Sequence, residues 1–161
     1  MQKTNAMRLL DAAGIQYTVK EYEVDESDLS AVHAVELLGM PGEQIFKTLV
    51  LRGVSGNHFV FCIPAAEELD LKKAARLSGE KKIDLIPIKE LQPLTGYVRG
   101  GCSPIGMKKT FPTFIEETAE LFDYIGISAG IRGCQIFLAP GDFLKFTAAA
   151  AADLTVETSK M

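Results

Sequence analysis

Lys47 is the residue whose type and setting point most directly to chemistry. It lies in Ile45–Arg52, an aliphatic and β-branched run that predicts a strand. Strand alternation puts Ile45, Lys47, Leu49 and Leu51 on one face and Phe46, Thr48, Val50 and Arg52 on the other. A lysine among three aliphatic neighbours has three outcomes. It snorkels to solvent from an edge strand, pairs with a buried carboxylate, or meets an anionic ligand. The residues alone leave all three open.

Two glycine-bearing segments are the next candidates. Gly100-Gly101-Cys102-Ser103-Pro104-Ile105-Gly106 has the composition of a tight loop, followed at once by Lys108 and Lys109. Such a loop is either a plain turn or a cradle whose N–H groups hold an oxyanion or phosphate. Ser128-Ala129-Gly130-Ile131-Arg132-Gly133 adds a hydroxyl to orient a substrate and a guanidinium for a phosphate or carboxylate; a structural turn is its alternative.

No activated nucleophile accompanies them. A catalytic thiol needs a base, and neither His33 nor His58 is tied to Cys102 by any motif. Cys62 and Cys134 sit in apolar strand settings as packed thiols. Neither a G-x-S-x-G elbow nor a Walker loop is present. The adjacent pairs Glu67-Glu68 and Glu116-Glu117 read as solvated surface. Cys62, Cys102 and Cys134 form neither a disulfide framework nor a CxxC site, so no metal is expected.

The elements that must position these residues follow from periodicity. Helices are predicted over 4–13, with Thr4 as cap and Gly14 as stop, and over 30–38, between Ser30 and Gly39. A basic-faced helix over 70–77 ends at Gly79, and another starts at Pro140-Gly141-Asp142. Strands are predicted over 17–22, 45–52, 58–63, 83–86, 114–116, 124–128 and 135–138, with a short extended piece over 97–99. Pro87 opens a helical turn. Helices and strands do not alternate regularly, which favours one α+β domain with a mixed, strongly curved sheet over a doubly wound fold.

Composition sets the outer limits. The 161 residues suit one domain, with 17 basic against 21 acidic side chains and a net charge of −4. That balance opposes nucleic-acid binding through a positive field over the whole surface. It leaves room for a local patch at Lys72, Lys73 and Arg76. With no signal-like or membrane-length apolar run, a cytoplasmic location is expected.

Phe46-Lys47-Thr48-Leu49-Val50, the segment Gly96–Lys109 and Ile127–Gly133, in this order, resemble the YbaK/EbsC family, which includes the editing domain inserted in bacterial prolyl-tRNA synthetases. The similarity is greatest to the free-standing branch that deacylates Cys-tRNA(Pro), and it covers nearly the whole chain. It implies a barrel-like mixed sheet flanked by helices, over residues 1–156, with 157–161 a frayed tail. It implies hydrolysis of the ester on a mischarged tRNA, with prolyl-tRNA synthetase as partner and no cofactor. The substrate's own thiol would attack the carbonyl. Deacylation of Ala-tRNA(Pro) or other small aminoacyl esters by water, or tRNA or synthetase binding without catalysis, are the alternatives.

By the same resemblance Lys47 would hold the substrate or terminal adenosine, Gly101 would offer backbone contact near the carbonyl, and Ser128 would bind the substrate end. Tyr22 would line the pocket, with Phe46, Thr48, Gly100, Cys102, Ser103, Pro104 and Gly130. The loop departs from the family's usual S-G-G-K-R-G: Ala129 stands for a glycine and Ile131 for a lysine. That removes one charge available to RNA and narrows the pocket.

Overall fold

A computed structural model of the chain describes residues 2–157. Its helices are α1 (Asn5–Ala12), α2 (Ala31–Leu38), α3 (Leu71–Ser78), α4 (Leu91–Thr95) and α5 (Pro140–Thr147). Its strands are β1 (Thr18–Glu21), β2 (Phe46–Gly53), β3 (His58–Pro64), β4 (Ile83–Leu85), β5 (Thr113–Glu116), β6 (Ile125–Ser128), β7 (Cys134–Leu138) and β8 (Ala150–Ala152).

The caps foreseen from residue type are in place. Thr4 Oγ1 accepts the Met7 N–H at 3.2 Å, and Ser30 Oγ accepts the His33 N–H at 3.2 Å. Asp70, expected inside its helix, is instead the cap and accepts the N–H groups of Lys72 and Lys73. Gly39 and Gly79 close α2 and α3 in the left-handed conformation.

The strands form two sheets, in the orders β1-β7-β6 and β4-β2-β3-β5-β8. The expected single barrel-like sheet is therefore corrected to two sheets, with no closed barrel among the described residues. They touch through one parallel bridge, Ile45 to Gly126. A Cβ on Gly126 would lie 2.6 Å from the Phe137 ring and 2.8 Å from Ile45 Cδ1, so only glycine allows this approach. This bridge is isolated and is not extended into a ladder between β2 and β6.

The largest core cluster lies between the sheets. It joins Phe46, Val50, Val60 and Cys62 to Ile125, Ile127, Ile136 and Leu138, sealed by Leu10 of α1 and Phe143 of α5. A second cluster packs Ala74 and Ala75 of α3 on Leu51, Phe61 and Ile63. A third sets Leu38 of α2 against Ile45 and Phe137, with Tyr22 at its margin.

Three expectations change. The 97–99 segment is no strand; Tyr97 packs its ring against Gly130 and donates its hydroxyl to Ile105 C=O, tying the two glycine loops together. Ala150–Ala152 forms β8 in parallel with β5, although alanine favours strands poorly. Glu116 is buried, not solvated: its carboxylate accepts the N–H groups of Leu154 at 2.8 Å and Thr118 at 3.2 Å, fastening the C-terminal segment. Of the proposed tail, residues 158–161 lie outside the described residues.

Candidate active site

A cavity of about 310 Å³ opens beside the first half of β2, along Phe46–Leu49. Gly53 donates its N–H to Asn57 C=O at 2.9 Å, and Ala65 donates to Ile45 C=O at 2.8 Å. The antiparallel rhythm thus assigns the odd-numbered residues of β2 to hydrogen bonds with β3. The even-numbered residues direct their N–H and C=O groups to the other edge. There β4 pairs only with Leu51–Gly53, and Val50 C=O accepts the Ile86 N–H at 3.1 Å. Thr48, among the even-numbered residues, lies outside the β4 pairing and lines the cavity.

Both faces of β2 reach this edge. Lys47 lies with Leu49 and Leu51 on the face over which α3 packs; Thr48 lies with Phe46 and Val50 on the face toward the inter-sheet core. Opposite, Ser128 of β6 and Gln135 of β7 form a cross-strand pair that lines the cavity beside Tyr22. The start of α2 closes one side through Ser30, Ala31 and Ala34. Arg99, Gly100 and Cys102 close another.

The electrostatics are those of a binding pocket without a nucleophile. Burial lowers the Lys47 pKa below the ordinary lysine value, and Glu68 and Glu67 offset part of that effect. Lys47 makes no ion pair among the described residues, which removes the paired-lysine alternative. Burial pushes the Cys102 and Cys62 thiols up to about 12, so both are protonated near neutrality. His33 is surrounded by Asp25, Asp28 and Glu36, and His58 packs on the Phe111 ring. Neither hydrogen-bonds to Cys102.

Of the residues singled out in the sequence, Tyr22, Phe46, Lys47, Thr48, Gly100, Cys102 and Ser128 come together at this cavity. Four others stand apart from its wall. Gly101 lies just behind it, where a Cβ would meet the main chain of Ile131 and Arg132 at 3.0 Å; its N–H is taken by Val98 C=O at 2.9 Å. Ser103 is buried, with its Oγ accepting the Ile105 N–H, and Pro104 faces a separate groove with Leu9 and Phe111. Gly130 N–H donates to Ser128 Oγ at 3.1 Å, so it holds the serine in place. Gln135, Arg99 and Ala34 line the cavity without having been singled out. Only the β6–β7 register, which pairs Gln135 with Ser128, could have exposed the first of these.

Residues 26–146 match the model of the aminoacyl-tRNA editing domain. The chain is 47% identical over 156 residues to the Enterococcus faecalis (strain ATCC 700802 / V583) protein named "Putative Cys-tRNA(Pro)/Cys-tRNA(Cys) deacylase EbsC", covering 97% of this chain and 95% of that one. It is 26% identical over 126 residues to YwhH of Bacillus subtilis (strain 168), covering 78% and 79%. A crystal structure described as "a putative trans-editing enzyme for prolyl tRNA synthetase" superposes with a TM-score of 0.82 at 27% identity, over 97% of this chain and all of that one. With the family model spanning most of the chain and close identity along nearly its whole length, this protein belongs to the aminoacyl-tRNA editing domain family.

Proposed function

We propose that this chain is a free-standing deacylase that removes cysteine from mischarged Cys-tRNA(Pro). The observation that carries the reading is a half-buried, unpaired Lys47 on a cavity whose only thiol, Cys102, is held protonated. The relative of Enterococcus faecalis named above supports the substrate class.

Such a pocket orients a reaction and stabilises its charge; it does not attack. The attacking group is then the thiol of the substrate cysteine. Its sulfur bonds the ester carbonyl carbon, the carbon–oxygen bond to the ribose breaks, and the thiol proton passes to the ribose oxygen. Water opens the resulting cyclic thioester to free cysteine. Lys47 supplies positive charge for the substrate or its terminal nucleotide. Ser128 Oγ accepts from Gly130, which leaves its O–H to donate to the substrate. Gly101 contributes by having no side chain where the two loops meet.

The acidic net charge supports a weak grip on tRNA alone. Prolyl-tRNA synthetase would hold the tRNA and raise its local concentration at the deacylase. The working unit is residues 1–156, acting in the cytoplasm where the synthetase charges tRNA. No helix among the described residues is long and apolar enough to cross a membrane.

The deciding assay follows release of cysteine from Cys-tRNA(Pro) by wild type and Lys47→Ala, with Ala-tRNA(Pro) alongside. Wild type is expected to release cysteine faster than alanine, and Lys47→Ala to lose the activity. Full activity of Lys47→Ala would refute the reading, and equal rates on the two esters would refute the substrate-thiol step.

A further inference from the structure

Two polar side-chain atoms in the interior lack a hydrogen-bond partner among the described residues, Thr48 Oγ1 and Gln135 Oε1. Both belong to residues lining the same cavity. Gln135 is only 7% exposed, so water does little to satisfy its amide oxygen. A buried acceptor left without a donor costs about 1–3 kcal/mol, and native folds rarely carry one without a reason.

Resting on the deacylase reading, we propose that Gln135 and Thr48 receive the free α-amino group of the aminoacyl ester. The chemistry fits this group better than the substrate's phosphates or thiol. An amide oxygen only accepts and a hydroxyl oxygen can accept, so both take N–H or O–H donors. A phosphate offers acceptors alone, and a thiol is a weak donor. The amine carries several donors on the carbon next to the reacting carbonyl. Ser128, opposite Gln135 in the β6–β7 ladder, already has its Oγ occupied as an acceptor by Gly130 and stands ready to donate to the ester. Amine and ester thus meet adjacent side chains of one cross-strand pair.

The consequence is a selectivity beyond the choice of amino acid. An N-acylated ester has lost donors and gained bulk where Gln135 waits. The pocket therefore distinguishes a freshly charged aminoacyl ester from a peptidyl or formylated one, and leaves the latter intact.

The test compares Cys-tRNA(Pro) with N-acetyl-Cys-tRNA(Pro), which keeps the thiol and the ester. Wild type is expected to show kcat/KM at least about tenfold higher for the free amine, as is typical when a buried acceptor is left unpaired by the wrong substrate. Gln135→Leu should bring that ratio toward one by losing rate on the free amine, while Gln135→Glu keeps an acceptor and preserves the ratio. Thermal unfolding separates this from a folding defect, because removing an unpaired buried oxygen should leave Gln135→Leu as stable as wild type or more so. Equal wild-type rates on the two esters, or an unchanged ratio in Gln135→Leu, overturn the proposal. Hydrolysis of neither ester by wild type overturns the deacylase reading and this inference with it.

Discussion

Ser128 stands directly across the β6–β7 ladder from Gln135, and its Oγ is anchored by the N–H of Gly130 at 3.1 Å. The serine is thus both part of the cavity wall and the fastening of its own loop. Ser128→Ala should destabilise the fold by about 1 kcal/mol, the usual worth of such a hydrogen bond. It should lower kcat/KM by more than that loss of stability explains. Urea titration beside the deacylation assay checks both. A variant with reduced stability but wild-type kcat/KM would show that Ser128 serves only the loop.

Gly101 is where two loops touch main chain to main chain. In Gly101→Ala the added Cβ would sit 3.0 Å from Arg132 N and Ile131 C, both backbone atoms that cannot rotate away. The loops must part, at a cost of about 1–3 kcal/mol. Thermal melting should show the loss, and the assay should show a drop in kcat as the adjoining Gly100–Cys102 wall shifts. An unchanged melting temperature contradicts this account.

Lys47 makes stability and activity depend on pH in opposite senses. Burial is the largest influence and lowers its pKa below 10.5; Glu68 and Glu67 only moderate this. Between the folded value and 10.5 the unfolded chain binds more protons, so this contribution raises stability as pH rises. Lys47→Met should therefore be the more stable protein at neutral pH, with its advantage shrinking toward pH 10.5. Activity that needs the ammonium should fall on the alkaline side before an ordinary lysine would titrate. Unfolding free energies measured across that range decide it; a pH-independent advantage for Lys47→Met would sink it.

The cysteines should behave as core residues. Cys62 and Cys102 have thiols pushed up to about 12, and Cys134 to about 11, all by burial first. Native protein at pH 8 should resist iodoacetamide, and unfolded protein should react at all of them; mass spectrometry reads the difference. Cys102→Ser should retain most deacylase activity. Rapid native alkylation of Cys102 with loss of activity would restore it as a nucleophile.

Local chemistry was easily read from the chain. Thr4, Ser30, Gly39 and Gly79 mark helix ends because capping depends on neighbours within a turn. Lys47 stood out because a charge interrupts an aliphatic strand face. What escaped depends on distant pairing. Ala150–Ala152 carries no strand signal of its own and becomes β8 only because β5 offers it an edge. Glu116 looked like one of two surface acids until Leu154, far along the chain, gave its N–H. Gln135, the first residue of the strand predicted over 135–138, gains its place only from the register that sets it against Ser128. Division into two sheets was equally invisible, since it depends on which distant strands pair and on their meeting at the single Ile45–Gly126 bridge. The loop residues Ser103 and Pro104 carry the motif but face away from the cavity: a motif marks a loop, while its geometry decides which members face inward.

The same long-range pairing has a consequence for synthesis. β1, over residues 18–21, hydrogen-bonds only to β7, over residues 134–138, and Lys73 of α3 bonds to Asp153 at 2.9 Å. A nascent chain leaving the ribosome cannot complete either sheet until nearly all of it has emerged. Its first strand waits with an unpaired edge, and folding dominated by such distant contacts is slow. The wall of Tyr22, Ser128 and Gln135 is among the last parts to assemble, so a truncated product would carry the Lys47 strand but no pocket.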